Sequence, residues 1–212
     1  MSLSPEPARR RDPLATRAKL VRAALELFTS AGYRVTTTPE LAQRAGVAEA
    51  TIYRHFPGKE ALLNQAYREA HQWGIGLLKA QEGDRGVPTR ERLQRIGRRM
   101  VETAAQDPAL VRMLLQRTEP GLLDQQSQTE VRQFREGLSA MIAAGKQEGR
   151  IRPGSAELWA LVWLALVSFV VERVATGEWP LEHPGVGPTL DAAWDAIAYR
   201  GALPESPVSR AT

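Results

Sequence analysis

Residues Thr36–Lys59 read TTTPELAQRAGVAEATIYRHFPGK, two short helices joined by a glycine turn. Thr37 and Glu40 have the spacing of a capping box, and Pro39 is tolerated in a first turn because its missing N–H has no intrahelical partner there. Leu41, Ala42 and Ala45 form the apolar side of this helix, which stops at Gly46, a residue that takes positive φ without steric cost. A second helix spans about Glu49 to His55, with Ile52 and Phe56 inward, and Pro57-Gly58 breaks it. Two such helices make a helix-turn-helix, in which the first braces the second and the second enters the major groove of DNA.

The side chains fit that role. Thr51, Tyr53, Arg54 and His55 are hydrogen-bond donors within five residues, and phosphate oxygens require donors. Lys59 opens the next helix, where its ammonium and the N-terminal amides converge on one phosphate. Glu49 and Ala50 come first on the second helix, where base edges are expected. A carboxylate accepts from cytosine N4, and an alanine methyl touches the thymine methyl. Thr37, Thr38 and Arg44 on the bracing helix complete the candidate set. Each has a plainer alternative: Tyr53 as a half-buried structural ring, His55 as a cover for Phe56, Glu49 as a charge favourable to the helix dipole, and Arg44 as a solvated group.

Outward from this segment the chain reads as all helix, with apolar residues recurring at three and four and no strand-like alternation. Residues 1–12 read as a disordered basic arm, whose Arg9-Arg10-Arg11 is either a minor-groove contact or a non-specific tail. A first helix carries Leu14, Ala18, Val21, Leu25 and Phe28 on one face and ends near Gly32. Lys59 begins a long helix to about Gln81, and Glu82 to Pro88 is a Gly-containing linker. Further helices span about Thr89–Gln106, Pro108–Arg117, Leu123–Glu148, Ser155–Thr176 and Thr189–Tyr199, with Gly177 to Pro188 a loop and Pro204 onward a tail. This divides the chain into 13–58, a three-helix DNA-binding domain, and 59–203, a helical bundle for effector binding and dimerisation, with 204–212 the tail.

Composition restricts the function. The 212 residues contain no cysteine and three histidines far apart, which excludes disulfides and thiolate metal sites and disfavours a histidine-rich metal centre. The net charge of +4 is uneven. Residues 1–59 hold ten Lys/Arg against five Asp/Glu, and the remainder holds 18 against 19. A basic module facing a polyanion joined to a neutral one has this pattern. The apolar run Leu158–Val171, broken by Ser168, is shorter than the ~20 residues of a membrane span. It reads as a buried helix in a cytoplasmic protein with no membrane partner. No acid/base pair at convincing spacing, phosphate-cradling loop or metal triad is visible, so no enzyme, cofactor or metal is expected.

The segment from Ala18 to Leu63, about a fifth of the chain, resembles the DNA-binding domain of the TetR family of transcriptional regulators. The likeness lies in Ala23–Phe28, Gly32-Tyr33, Thr36-Thr37, Leu41-Ala42, Ala45–Val47, Thr51–Phe56 and Gly58–Leu62, in order and without a gap. The resemblance implies a homodimeric repressor whose second domain binds a small effector and whose last two helices form the dimer interface. It matches Thr38, Thr51, Tyr53, His55 and Lys59 to phosphate-contacting positions, and Glu49 and Ala50 to base-reading ones. Two departures stand out. Ala48 replaces the Ser or Thr that often caps the recognition helix, and Glu49 brings a negative charge close to DNA.

In the second domain, the Leu158–Val171 helix is apolar around its axis, so one side meets its own domain and another a partner subunit. Trp159, Leu166, Val170, Trp194 and Ile197 are the expected interface, and a twofold axis would set two recognition helices on a palindrome. Trp73, Met100, Met113, Gln116, Phe134, Met141 and Trp163 are candidates to line an effector pocket, each equally explicable as core. Few charged residues fall on these inward stripes, which favours an apolar or neutral effector. The leading expectation is a repressor released from its operator by that effector. The alternative is a helical ligand sensor acting through protein partners without sequence-specific DNA binding.

Overall fold

The computed structural model describes residues 12–83 and 86–201. The Arg9–Arg11 arm and the tail from Pro204 lie outside the described residues. Nine α-helices occur among the described residues.

Helix α1 (Pro13–Ser30) starts at Asp12, whose carboxylate accepts from Leu14 N at 2.9 Å. Its buried stripe Leu20, Val21, Ala24, Leu25 and Phe28 forms the N-terminal end of the core. Helices α2 (Thr38–Ala45) and α3 (Glu49–His55) pack there through Leu41, Ala42, Ile52 and Phe56. Helix α4 (Lys59–Lys79) rises from this head and packs against α1 at one end.

The remaining helices gather around α4. Helix α5 (Thr89–Gln106) leads to Asp107, which caps α6 (Pro108–Leu115) by accepting from Leu110 N at 3.1 Å. A 3-10 turn at Pro120–Leu122 precedes α7 (Gln125–Gln147), which packs along α4. It starts two residues after the predicted Leu123 because Asp124 takes the cap, accepting from Ser127 N at 2.7 Å. Helix α8 (Ala156–Ala175) follows, with Ser155 accepting from Leu158 N. It packs on α5, α6, α7 and α9 (Val186–Asp195). Gly97 permits the close approach of α5 to this layer: a Cβ there would stand 3.2 Å from Leu190 and 3.5 Å from Trp163.

Helix α9 departs from expectation at both ends. It begins at Val186, before the predicted Thr189, because Pro188 falls in its first turn, where no N–H is required. It ends at Asp195 instead of Tyr199 because the chain then extends. Ala198 pairs with Ile151 in an antiparallel bridge, with Arg152 N donating to Ile197 O at 3.0 Å and Tyr199 N to Arg150 O at 2.8 Å.

The surface of α8 also requires correction. Val170, Trp194 and Ile197, expected at the subunit contact, are buried in the chain's own core at 0%, 6% and 0% exposure. Leu166 and Trp159 are half-buried, and Trp159 is held by its indole N–H donating to Pro153 O at 3.0 Å. The exposed apolar side carries Leu158, Leu161 and Phe169, at 51%, 51% and 44% exposure. Because α8 is apolar on every side, periodicity does not tell the inward face from the outward one. The helix is twenty residues long and meets the length and hydropathy of a membrane span, but it packs on four other helices of the chain.

Candidate nucleic-acid interface

The helix-turn-helix is built by local rules. The Thr37 amide and hydroxyl both donate to the Glu40 carboxylate, at 2.7 and 2.8 Å, and Glu40 N donates back to the Thr37 hydroxyl. The amide first, and the hydroxyl second, hold the Glu40 carboxyl below its ordinary range. Thr37 is therefore engaged as a cap. Gly46 sits at φ 67°, the left-handed conformation expected of the turn, and Val47 N donates to Ala42 O at 3.0 Å. Ala48 gives α3 no side-chain cap. That helix is held by packing: Thr51 and Ile52 are buried on one side, and Phe56 closes its end.

The other side of α3 faces solvent. Tyr53 stands 55% exposed, its hydroxyl without a hydrogen-bond partner among the described residues. Arg54 is exposed and His55 half-buried beside it. Arg54 touches the Thr51 hydroxyl at 3.0 Å and has no carboxylate partner among the described residues. Thr51 itself is 4% exposed and serves more as a seat for Arg54 than as a surface donor. Glu49 and Ala50 are exposed on the first turn, and the Thr38 hydroxyl donates to Glu49 Oε1 at 2.9 Å.

Two predicted contacts have partners inside the chain. Lys59 Nζ donates to Tyr33 O at 2.8 Å and Thr36 O at 2.9 Å, and it lies 4.3 Å from the centroid of the Tyr33 ring. An ammonium has three N–H donors, so one remains. Lys59 thus clips the start of α4 onto the α1–α2 loop. Arg44 is drawn back to α1, where its guanidinium pairs with Glu26. Glu26 also accepts from Arg22 at 2.7 Å, and Arg22 reaches Asp107 at 2.5 Å. Burial alone would raise the Glu26 pKa, but hydrogen bonds from Arg22 and Arg44 outweigh it and keep the group below its usual range.

Sequence reasoning did not single out Lys19 and Gln43, which stand beside the candidate surface. Both line a cleft of about 460 Å³ between the start of α1 and the α2–α3 turn, together with Asp12, Thr16, Ala48 and Thr51. Neither side chain has a partner among the described residues. The available signal was the spacing of Ala15, Thr16 and Lys19 along one outward face of α1.

The effector candidates are mostly core. Met100, Met113, Phe134, Met141 and Trp163 are all under 9% exposed, and Trp73 is half-buried. Gln116 is exposed and lines a groove of about 330 Å³ with Thr29, Arg112, Leu115, Ser168, Val171 and Glu172. Within the bundle, the buried His71 donates its Nδ1–H to Tyr67 O at 2.9 Å and stacks on the Tyr67 ring. Burial, foremost, pushes its pKa down. No cluster of metal-ligating side chains occurs among the described residues.

Residues 20–66 match the family described as bacterial regulatory proteins, tetR family. The chain is similar to the nucleoid occlusion factor SlmA of Marinobacter nauticus, 34% identical over 145 residues, covering 65% of this chain and 70% of that protein. It is also similar to an HTH-type transcriptional regulator, YvkB, of Bacillus subtilis. That match is 41% identical over 70 residues but spans 32% of this chain and 36% of YvkB. The fold resembles the crystal structure of a TetR family transcription regulator from Marinobacter aquaeolei, with a TM-score of 0.74 at 24% identity over 91% of this chain and all of that one.

Proposed function

Because the chain belongs to the tetR family of bacterial regulatory proteins, we propose that it works as a homodimeric repressor, binding a palindromic operator and released from it by a small effector. It is a transcriptional regulator with a helix-turn-helix DNA-binding head. The observation that carries the finer reading is the surface of α3. Tyr53, Arg54 and His55 stand outward on a helix whose opposite side is packed into the head. Outward-facing donors in that position, none of them paired with a carboxylate among the described residues, suit phosphate oxygens, with Glu49 and Ala50 toward base edges.

The exposed Leu158, Leu161 and Phe169 on α8 support a twofold partner, since large apolar side chains left in water cost free energy that burial against a second subunit would recover. The buried apolar lining of the bundle supports an apolar or neutral effector, which prefers a conformation whose two heads are wrongly spaced and so lowers operator affinity. A second reading rests on the SlmA similarity, which at 145 residues extends beyond the head. Here the DNA-bound dimer acts in nucleoid occlusion instead of at a promoter.

The test is binding of the purified protein to labelled DNA from upstream of its own gene, against a scrambled duplex, at about 50 and 200 mM salt. A regulator prefers the upstream DNA at both salts. Equal weak binding to both duplexes contradicts it. Mapping occupied sites across the chromosome separates the readings: a few promoter-proximal sites for the repressor, many dispersed sites for nucleoid occlusion.

A further inference from the structure

Glu49 is an unusual residue to present to DNA, because it adds negative charge where phosphates already repel it. The dipole of α3 offers a reason to keep an acid there, but the dipole does not fix where the carboxylate points. The structure does fix it. Thr38, the first residue of α2, donates its hydroxyl hydrogen to Glu49 Oε1 at 2.9 Å. The two residues lie on different helices, so the bond crosses the turn and holds the carboxylate on the exposed side of α3 with its second oxygen unengaged among the described residues.

A carboxylate only accepts hydrogen bonds. In the major groove guanine presents N7 and O6 acceptors, and thymine presents O4 and a methyl group. Both are repelled. Adenine offers its N6 amino group, but between two acceptors, its own N7 and the O4 of the paired thymine. Cytosine offers N4 with an acceptor on one side alone, the O6 of the paired guanine. A fixed carboxylate on the first turn of a recognition helix therefore selects cytosine.

We propose that Glu49, oriented by the Thr38 hydroxyl, demands a cytosine amino group at one position of each operator half-site. The inference rests on the operator-binding reading above and adds the base that one residue reads. Thr38 is the positioning residue, and Glu49 makes the contact.

The experiment is selection from randomised duplexes by the purified full-length protein and its Glu49→Gln, Glu49→Ala, Thr38→Val and Thr38→Ser variants, with a melting curve for each to establish folding. The wild type enriches a palindrome with cytosine at one position per half-site, favoured roughly 5- to 150-fold over the other bases. Glu49→Gln moves that position to adenine, because an amide pairs with N6 and N7 together, and leaves the other positions unchanged. Glu49→Ala removes the preference there. Thr38→Val weakens it several-fold, and Thr38→Ser restores it.

If the wild type enriches a palindrome but Glu49→Gln enriches the same base at every position, the inference is wrong and the operator reading stands. If Thr38→Val weakens all duplexes equally with no change in base profile, Thr38 holds a phosphate and its positioning role is overturned. If the wild type enriches no sequence, the operator reading fails, and this inference with it.

Discussion

Helices α3 and α8 both present a surface beyond the fold of their own chain, and the two surfaces differ in kind. The outward side of α3 carries Tyr53, Arg54 and His55, groups that water satisfies until a polyanion replaces it. The outward side of α8 carries Leu158, Leu161 and Phe169, which water does not satisfy. The first surface suits a contact made and broken in regulation, the second a contact that persists. In the proposed dimer, exchange with DNA and commitment to a partner subunit fall in two separate regions, joined by α4 and by the Arg44–Glu26–Arg22–Asp107 chain of ion pairs.

The sharpest way to break this contrast is to make the persistent surface polar. The double variant Leu161→Glu, Phe169→Glu is expected to sediment as a monomer. Its operator affinity is expected to fall on the order of 100-fold or more, since the second head no longer binds at high effective concentration. A dimer that survives both charges places the interface elsewhere.

A smaller effect separates two residues of the head. Tyr53→Phe is expected to leave the melting temperature unchanged and weaken operator binding roughly tenfold, the loss of one hydrogen bond to a charged group. Lys59→Ala is expected to lower the melting temperature by about 5 °C, because it removes charge-assisted bonds to Tyr33 O and Thr36 O. It is also expected to reduce the salt slope by about one. An unchanged melting curve for Lys59→Ala would show that its clip carries no stability. Calorimetry with salt titration measures both.

The smallest effect is in pH, and it differs between the two regions. Burial holds the His71 pKa below its ordinary value of 6.5. The unfolded chain thus binds a proton more readily, and stability falls as pH drops below 6.5. The Glu26 carboxyl is depressed by its arginine partners. Its contribution is present above the ordinary 4.5 and lost as pH falls through the lower folded value. Melting between pH 7.5 and 5.5 is expected to decline by a few °C in the wild type and less in His71→Leu. Equal slopes in the two proteins would remove His71 from the account.

Much of the head is legible in sequence because its determinants are local. The Thr37–Glu40 box, the Gly46 turn, the missing cap at Ala48 and the limits of α3 each depend on a few neighbouring residues. The partners of Arg44 and Lys59 do not. Glu26 lies 18 residues from Arg44, and Tyr33 lies 26 from Lys59, so spacing along the chain gives no sign of either bond. In the second domain the obstacle is different. Leu161 and Val170 are equally apolar, and only packing distinguishes the one exposed from the one buried. The start of α9 was hidden because Pro188 reads equally well as loop or first turn.

In the proposed dimer, two α3 surfaces read DNA together through a twofold axis. Footprinting of the purified protein on DNA upstream of its own gene tests it most directly. Two protected half-sites related by a dyad are expected, with centres about one helical turn, 10–10.5 base pairs, apart or a multiple of that. A single unsymmetrical patch, or uniform protection without boundaries, would contradict it.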